Sequence, residues 1–254
     1  MSDQLLPYIS NNLEIIKTSS LKTDLDDFGF RYGYGIFETI LIENQVPFLF
    51  TAHLKRFRRS AAELKIPLHY THHQIHLALQ KLILKNKIKS AICNWYLTPG
   101  SLSDWQHGFD HPRLLMVVRK PENIKHSTPI NLRVYQEKTP RTHWDSHKLM
   151  SRVSLINTRL GSPEDLLLVS PKNEILETTT ANIFFIKEKT LITPRGIGIL
   201  PGVMKAHVIS NAKNEGIQIE HRRVELSEIS TFDRIFLTNS IRKIIPIEKD
   251  SLIL

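Results

Sequence analysis

A polar segment in the middle of the sequence divides the chain into two parts. The segment KPENIKHSTP (120–129) has a proline near each end and shows no helical or strand periodicity, which is typical of a linker. On both sides of it, apolar runs of strand length alternate with helical patterns. A chain of 254 residues is long enough for two modest hydrophobic cores. We therefore predict an α+β protein with one domain at 1–119 and a second at 130–254.

The spacing of apolar residues predicts the elements of both domains. In the first domain we expect a hairpin at 35–50, helices at 51–64 and 72–87, and strands at 91–97 and 113–119. In the second we expect strands at 130–136, 165–170, 175–177, 182–186, 190–193, 217–224 and 234–238, with helices at 148–160 and 201–215. The clearest pattern is the stripe of Leu54, Phe57, Ala61 and Leu64, which predicts that one face of the first helix is buried.

Composition excludes several classes of protein. Cys93 is the only cysteine, so no disulfide can form within the chain, which agrees with a reducing compartment. The N-terminus lacks the basic and apolar regions of a signal peptide, and no apolar run approaches the ~20 residues that span a bilayer. We therefore expect a cytoplasmic protein without a membrane partner.

The net charge of +9 favours anionic partners. The basic residues are scattered, however, and are not interleaved with aromatic residues, so we expect small anionic molecules and no nucleic acid. The 12 histidines show no ligand spacing with cysteine or carboxylate partners, and no metal is expected.

The stretch EILETTTANIFFI (174–186) places Glu177 at the entrance to an apolar strand. A carboxylate in such a position needs a positive partner, because burying an unpaired charge is costly. Lys148, in HKLMSRVSLI, is predicted to begin a helix beside apolar residues. Desolvation there would lower its pKa and make it a nucleophile or a base. The alternative is a surface lysine with its stem on apolar neighbours and its charge in water.

Three further segments suit phosphate. In GILPGVMKAHVI (198–209) a turn leads into a helix, and the free N–H groups of Gly202, Val203 and Met204 would point at an anion. The strand FLTNSI (236–241) ends in polar side chains that can donate hydrogen bonds. Arg56 lies off the apolar stripe of its helix and can fork onto a phosphate. Each segment is also explained by ordinary structure: a capped helix, a strand end and a solvated basic face.

The order of these segments resembles the class IV aminotransferase family, the fold type IV pyridoxal-phosphate enzymes. The resemblance covers nearly the whole chain. It is carried by FRYGYGIFETI (30–40), HLKRFRRSA (53–61), HKLMSR (147–152), DLLLVSPKNEILETTTANIFFI (165–186), GILPGVMK (198–205) and FLTNSIRKIIPI (236–247). It implies a two-domain, D-amino-acid aminotransferase-like fold with a smaller N-terminal α/β domain and a larger C-terminal pseudo-barrel domain.

The resemblance also implies roles for individual residues. Lys148 would form the Schiff base with pyridoxal 5'-phosphate, and Glu177 would keep the pyridine nitrogen protonated, since an opposite charge favours the charged form. Leu200 would pack on the ring. The phosphate would be held by Arg56, the N–H groups of Val203 and Met204, and side chains near Asn239 and Ser240. Phe30, Arg31 and Tyr32 flank the first motif and would face the substrate. Family members are usually homodimers.

The sequence departs from the family pattern at several positions. Tyr34 stands where the first motif usually has aspartate, and Pro99 where many relatives have arginine. The arginine–histidine pair that holds the substrate carboxylate in D-amino-acid aminotransferases has no counterpart, which argues against that activity. Asn173 takes a usual glycine position; asparagine tolerates the left-handed conformation, so the turn is expected to survive. Lys205 replaces a common arginine and keeps its charge.

Three functions stay open on these grounds. We favour a 4-amino-4-deoxychorismate lyase, which releases pyruvate and 4-aminobenzoate, because of the chain length, the GIFET form of the first motif and the missing carboxylate-binding pair. The alternative within the family is an aminotransferase that acts on branched-chain or other amino acids. The third is a non-catalytic binding protein, against which the presence of both Lys148 and Glu177 argues.

Overall fold

The chain forms two compact units in the computed structural model. The first unit contains Met1–Asn123 and Lys148–Ser151, and the second contains Ile124–His147 and Arg152–Leu254. The structure describes residues 5–104, 106–120, 130–162, 164–248 and 251–253. The predicted linker, 120–129, lies outside the described residues except for Lys120.

The first unit is an antiparallel sheet covered by two long helices. Its strands are β1 (Tyr8–Asn11), β2 (Glu14–Lys17), β3 (Ile36–Glu43), β4 (Val46–Pro47), β5 (Ala91–Thr98), β6 (Leu102–Asp104), β7 (Gly108–Phe109) and β8 (Arg113–Arg119). Its helices are α1 (Phe28–Tyr32), α2 (Phe50–Glu63) and α3 (His72–Lys85), with a 3-10 turn at Thr18–Ser20. The six-stranded sheet has the order β2-β1-β8-β5-β3-β4, and β6 pairs with β7.

Apolar periodicity explains the core of this unit. The predicted stripe on α2 is confirmed, since Leu54, Phe57, Ala61 and Leu64 are all buried. Helix α3 is preceded by the N-cap Thr71, whose side chain forms a capping box with Gln74. Helix α2 packs on β3 and helix α3 packs on β1 and β2, and the buried side chains of both helices belong to one core.

The second unit contains two sheets around one core. Its strands are β9 (Leu132–Gln136), β10 (Asp165–Val169), β11 (Ile175–Thr178), β12 (Asn182–Lys187), β13 (Thr190–Pro194), β14 (Gln218–Arg222), β15 (Arg234–Asn239), β16 (Lys243–Ile247) and β17 (Leu252–Ile253). Its helices are α4 (Val153–Arg159) and α5 (Val203–Asn214), with 3-10 turns at His143–Ser146 and Leu226–Thr231. The sheets have the orders β11-β10-β9-β17 and β14-β13-β12-β15-β16.

Strand β12 is buried on both faces. Ile183 and Phe185 belong to the core shared by the two sheets, whereas Phe184 packs on the other side with residues of α5 such as Ala212. This explains why the sequence NIFF lacks the alternation of a half-exposed strand. Within the described residues, no helix is both long and apolar enough to span a bilayer.

Two predictions about local structure had different outcomes. Asn173 has φ of 61°, so the predicted left-handed turn is confirmed. The predicted helix 148–160 is wrong at its start, because α4 begins only at Val153. Residues before it are extended instead: the N–H of Phe37 donates to the carbonyl of Lys148 (2.9 Å), and the N–H of Met150 donates to that of Gly35 (2.9 Å). Pairing with β3 overrides the helical apolar pattern.

Candidate active site

Glu177 lies near the end of β11 and is only 7% exposed. Its Oε1 accepts a hydrogen bond from Arg141 Nη1 (2.5 Å), and its Oε2 accepts one from Asn182 Nδ2 (2.9 Å). The N–H of Leu200 also approaches both oxygens, at 3.3 and 3.2 Å. The positive partner that the sequence demands is therefore present in the protein itself, as Arg141.

Arg141 is shared between two carboxylates. Besides Glu177, its guanidinium contacts Glu137 (Nε–Oε1, 3.0 Å) and donates to the carbonyl of Gly198 (2.9 Å). Burial by itself lowers the pKa of Arg141, but the two acids outweigh this effect and raise it. Sequence reasoning missed Arg141, because its partner Glu177 is distant in the chain and no local pattern marks the contact.

Burial raises the pKa of Glu177 above its usual range, although Arg141, by charge and hydrogen bond, and Lys205 oppose this effect. Because Arg141 also contacts Glu137, its charge does not fully offset the cost of burying the Glu177 carboxylate. Glu177 is thus a carboxylate with donors on both oxygens that still gains from a further positive charge nearby.

The threonines after Glu177 are fixed by one buried acid. Asp165, the first residue of β10, accepts hydrogen bonds from the hydroxyls of Thr178 (3.0 Å), Thr180 (2.5 Å) and Thr179. Asp165 is 5% exposed. The hydrogen bonds tie the turn after β11 to β10 and so hold the backbone that carries Glu177, which explains the run ETTT.

Asn182 joins the separate segments of this site. Its Nδ2 donates to Glu177 and to the carbonyl of Leu200 (2.9 Å each), and its backbone pairs with Thr238 at the end of β15. A Cβ on Gly202 would collide with Asn182 Oδ1, so glycine is required there.

Helix α5 begins directly after this glycine. Gly202 is the N-cap of the helix, and among the described residues no side chain caps this end by accepting from the N–H groups of Val203 and Met204. Both side chains are buried. The start of α5 is thus suited to an anion, as the sequence predicts.

Some of the polar groups at the end of β15 already form hydrogen bonds within the protein. Asn239 Oδ1 accepts hydrogen bonds from the N–H groups of Ile241 (3.0 Å) and Arg242 (2.7 Å), so its carbonyl closes the turn. Thr238 Oγ1 is buried and has no hydrogen-bond partner among the described residues. Ser240 follows the strand and is half-buried.

Lys148 belongs to the first unit. It lies in the extended segment beside β3, and its Nζ is 4.3 Å from the ring centroid of Phe37, a cation–π contact. Gly35, next to this segment, cannot be substituted simply, since a Cβ there would lie 2.7 Å from the carbonyl oxygen of Leu97.

Arg56 is buried on α2 and has a partner that the sequence reasoning missed. Its Nε and Nη2 donate to Oε1 and Oε2 of Glu38 (2.6 and 2.7 Å), and His53 Nδ1 lies 2.7 Å from Oε2. Burial alone would raise the pKa of Glu38, but the Arg56 charge and the His53 and Arg56 hydrogen bonds lower it to about 2. The motifs GIFET and HLKR thus meet in one buried ion pair.

The three predicted substrate residues form α1. Phe30 and Tyr32 are 62% and 58% exposed, and the Arg31 guanidinium lies over the rings of Phe28 and Tyr32. Gly33 ends the helix with φ of 65°. Tyr34, at the position of the usual aspartate, donates from its hydroxyl to the carbonyl of Leu64 (2.8 Å) and so ties the motif to the end of α2.

The structure therefore assembles the predicted residues as two groups. In the second unit, Glu177, Leu200, the start of α5 and the end of β15 surround Asn182. In the first unit, the Lys148 segment lies against β3, the strand that also carries Glu38.

Comparisons with known proteins identify the family. The model of the class IV amino-transferase family matches residues 35–249. Aminodeoxychorismate lyase of Bacillus subtilis (strain 168) is 29% identical over 233 residues, covering 88% of this chain and 80% of the relative.

Solved structures show the same fold. The branched-chain amino acid aminotransferase of Escherichia coli superposes with a TM-score of 0.85 at 20% identity, over 95% of this chain and 86% of its own. A putative 4-amino-4-deoxychorismate lyase of Legionella pneumophila superposes with a TM-score of 0.81 at 25% identity, over 91% and 87%. The α+β fold of the class IV enzymes is thus confirmed, and the chain is an enzyme that belongs to the class IV aminotransferase family.

Proposed function

We propose that the protein is a pyridoxal-phosphate-dependent 4-amino-4-deoxychorismate lyase that releases pyruvate and 4-aminobenzoate. The observation that carries the choice of cofactor is Glu177, a buried carboxylate that shares its arginine with Glu137 and has its pKa raised by burial. The similarity to the lyases of Bacillus subtilis and Legionella pneumophila supports the choice of reaction.

The second unit suits a pyridine ring that carries a phosphate. Glu177 would bind the ring nitrogen, and Leu200, whose N–H already contacts that carboxylate, would pack on the ring. The uncapped N–H groups of Val203 and Met204 would bind the phosphate, with Asn239, Ser240 and Arg56 as further donors. When bound, the cofactor supplies an electron sink for the electrons of the substrate Cα–H bond.

The residues of the chain then have separate tasks. Lys148 would bind the cofactor carbonyl through its Nζ and later accept the proton from the substrate Cα as a general base. Glu177 would hold a proton on the ring nitrogen, since its negative charge favours the protonated form. Asn182 and Asp165 would keep Glu177 in place. Phe30, Arg31 and Tyr32 would face the substrate.

An aminotransferase is the second candidate. It would use the same residues, and Lys148 would deliver the proton that it accepted, so that the amino group is exchanged and pyruvate is not released. The fold of the branched-chain aminotransferase of Escherichia coli accommodates this chain equally well. The two reactions share the site and differ in the fate of the substrate.

We further propose a cytoplasmic homodimer. Helix α4 exposes Val153, Ile156 and, at its end, Leu160, which are 76%, 58% and 72% exposed. An apolar stripe of this kind is typical of a surface that another chain covers. The free and buried Cys93 supports a reducing compartment. Small anionic amino compounds are the expected substrates.

A product assay tests the reaction. The purified protein with pyridoxal phosphate should form pyruvate and 4-aminobenzoate from 4-amino-4-deoxychorismate. Transfer of the amino group to 2-oxoglutarate without release of pyruvate would decide for the aminotransferase.

Reduction with borohydride tests the lysine. Borohydride should attach the cofactor covalently to Lys148, and Lys148→Ala should abolish this attachment. Lys138→Ala, a change at an exposed lysine, is the control and should retain it. Attachment at another lysine would overturn the assignment of Lys148.

A further inference from the structure

The second unit contains an open cleft beside the first turns of α5. Its volume is about 520 Å³, within the range of sites for small molecules. It is lined by Pro194, Arg195, Gly196, Ile199, Leu200, Pro201, Gly202, Lys205, Ala206, Ile209 and His221. The residues come from the end of β13, the loop that follows it, one face of α5 and strand β14.

The cleft shares only the turn before α5 with the residues assigned to the cofactor. Of the second-unit residues considered for that role, Leu200 and Gly202 line the cleft, and Glu177, Val203, Met204, Asn239 and Ser240 do not. Lys205 and Ile209 lie on a different face of α5 from the buried Val203 and Met204.

The charged residues of the lining are all basic. Arg195, Lys205 and His221 line the cleft, and no acidic side chain does. Arg195 and His221 have no acidic partner among the described residues. Burial lowers the pKa of His221, and the nearby charges of Lys205, Lys213 and Arg195 lower it further, which indicates a positive potential at this surface.

Lys205 is the most enclosed of these basic groups. Its Nζ donates to the carbonyl of Pro194 (3.1 Å), which uses one of three donors. Burial lowers its pKa to about 8, against the raising effect of Glu177. An anion that entered the cleft would give this amine the charged partner that its lining lacks.

The remaining walls are apolar. Pro194, Ile199, Leu200, Pro201 and Ile209 surround the basic groups. Such walls favour a ligand with an apolar body over a free inorganic ion, because burial of apolar area adds to the ionic contact. We propose that this cleft is a second binding site, which takes a small apolar carboxylate, such as an aromatic acid, with its carboxylate on Lys205 and Arg195.

Binding of 4-fluorobenzoate to the purified full-length protein, followed by fluorine NMR, tests the proposal. We expect saturable binding that weakens about tenfold or more in Lys205→Met and severalfold in Arg195→Gln, since each change removes a charged hydrogen-bond donor. Lys213→Gln removes a charge from the same helix outside the lining and should leave the affinity unchanged. The neutral analogue 4-fluorobenzamide should not bind saturably.

4-Fluorobenzoate resembles 4-aminobenzoate, so the loss of affinity in Lys205→Met and Arg195→Gln, and not binding alone, assigns the probe to the cleft. Absence of saturable binding, or an affinity unchanged in both Lys205→Met and Arg195→Gln, would overturn the proposal. Arg195 is exposed, so its variant provides the test even where Lys205→Met fails to fold. Failure of the lyase assay alone would leave the cleft assignment intact.

Discussion

Two buried carboxylates, one in each unit, show how similar partners give opposite electrostatic results. Glu38 on β3 and Glu177 on β11 are 1% and 7% exposed, and an arginine contacts each. Nevertheless, the pKa of Glu38 is lowered to about 2, whereas the pKa of Glu177 is raised. The difference lies in how the positive charge is divided.

Arg56 gives both of the hydrogen bonds described above to Glu38, and His53 adds another. Arg141 divides its guanidinium between Glu177 and Glu137, so one cation faces two acids. The first arrangement is electrostatically complete, because the arginine fork and the imidazole both face a single acid. The second is incomplete and suits a carboxylate that has to bind a positively charged group.

Removal of Glu38 from its ion pair with Arg56 should have the largest effect on stability. Glu38→Ala leaves Arg56 buried beside a lost partner, and we expect the free energy of unfolding to fall by about 3–5 kcal/mol. Urea unfolding measures the change, with Glu14→Ala, at an exposed position of β2, as the matched control. A loss no larger than that of the control would mean that the pair contributes little to the fold.

The free energy of unfolding at acidic pH should depend on the ionisation of Glu38. Its folded pKa of about 2 lies below the unfolded value of 4.5, so its contribution is complete above pH 4.5 and is lost as the pH falls towards 2. The full difference is about 3 kcal/mol. Urea unfolding from pH 6 to 3 should show that the gap between the wild type and Glu38→Gln narrows by about 2 kcal/mol. A gap that stays constant would contradict the lowered pKa.

Glu177→Gln, in contrast to Glu38→Ala, should change stability little and turnover strongly. Because the amide keeps the shape and Arg141 retains Glu137, we expect a stability change of only about 1 kcal/mol. Turnover in the product assay should fall about 100-fold or more, since the charge that favours a protonated ring nitrogen is gone. Glu174→Gln, on the same stretch, provides the control for turnover. Unchanged turnover would remove Glu177 from the site.

Glu137→Gln should have the smallest effect on stability and is the sharpest test of the shared arginine. Burial raises the pKa of Glu137 above its value in the unfolded chain, so its charge lowers the stability of the fold at neutral pH, and a neutral amide should leave the stability unchanged or raise it. With Arg141 left to Glu177, the pKa of Glu177 should fall. Urea unfolding at pH 7, with Glu188→Gln as an exposed control, measures the first effect; a loss of stability would contradict the sharing.

Local patterns predicted much of the fold. The stripe of α2 and the left-handed Asn173 depend on spacing and on intrinsic backbone preference, and both are confirmed. The start of the helix after Lys148 was wrong, because the sequence shows an apolar pattern but not the strand β3 with which the segment pairs.

The site was only partly predictable for the same reason. Lys148 and Glu177 stand in recognisable motifs, and their roles stay proposals. Arg141 stands in no such motif, and Asp165 begins the motif of 165–186 without a pattern that marks its role. The importance of both depends on contacts with other parts of the chain. The pairing of Glu38 with Arg56 was also missed, although both residues lie in the motifs that carry the family resemblance.

The short return of Lys148–Ser151 to the first unit has a consequence for protein synthesis. Domains fold largely as the ribosome releases them, beginning at the N-terminus. Here the strand β3 is made early, but the lysine segment that bonds to it emerges only after the chain has begun its second unit. In the nascent first unit, the backbone groups of Gly35 and Phe37 therefore lack these partners until the segment with Lys148 has been synthesised. This segment contains the lysine on which catalysis is proposed to depend.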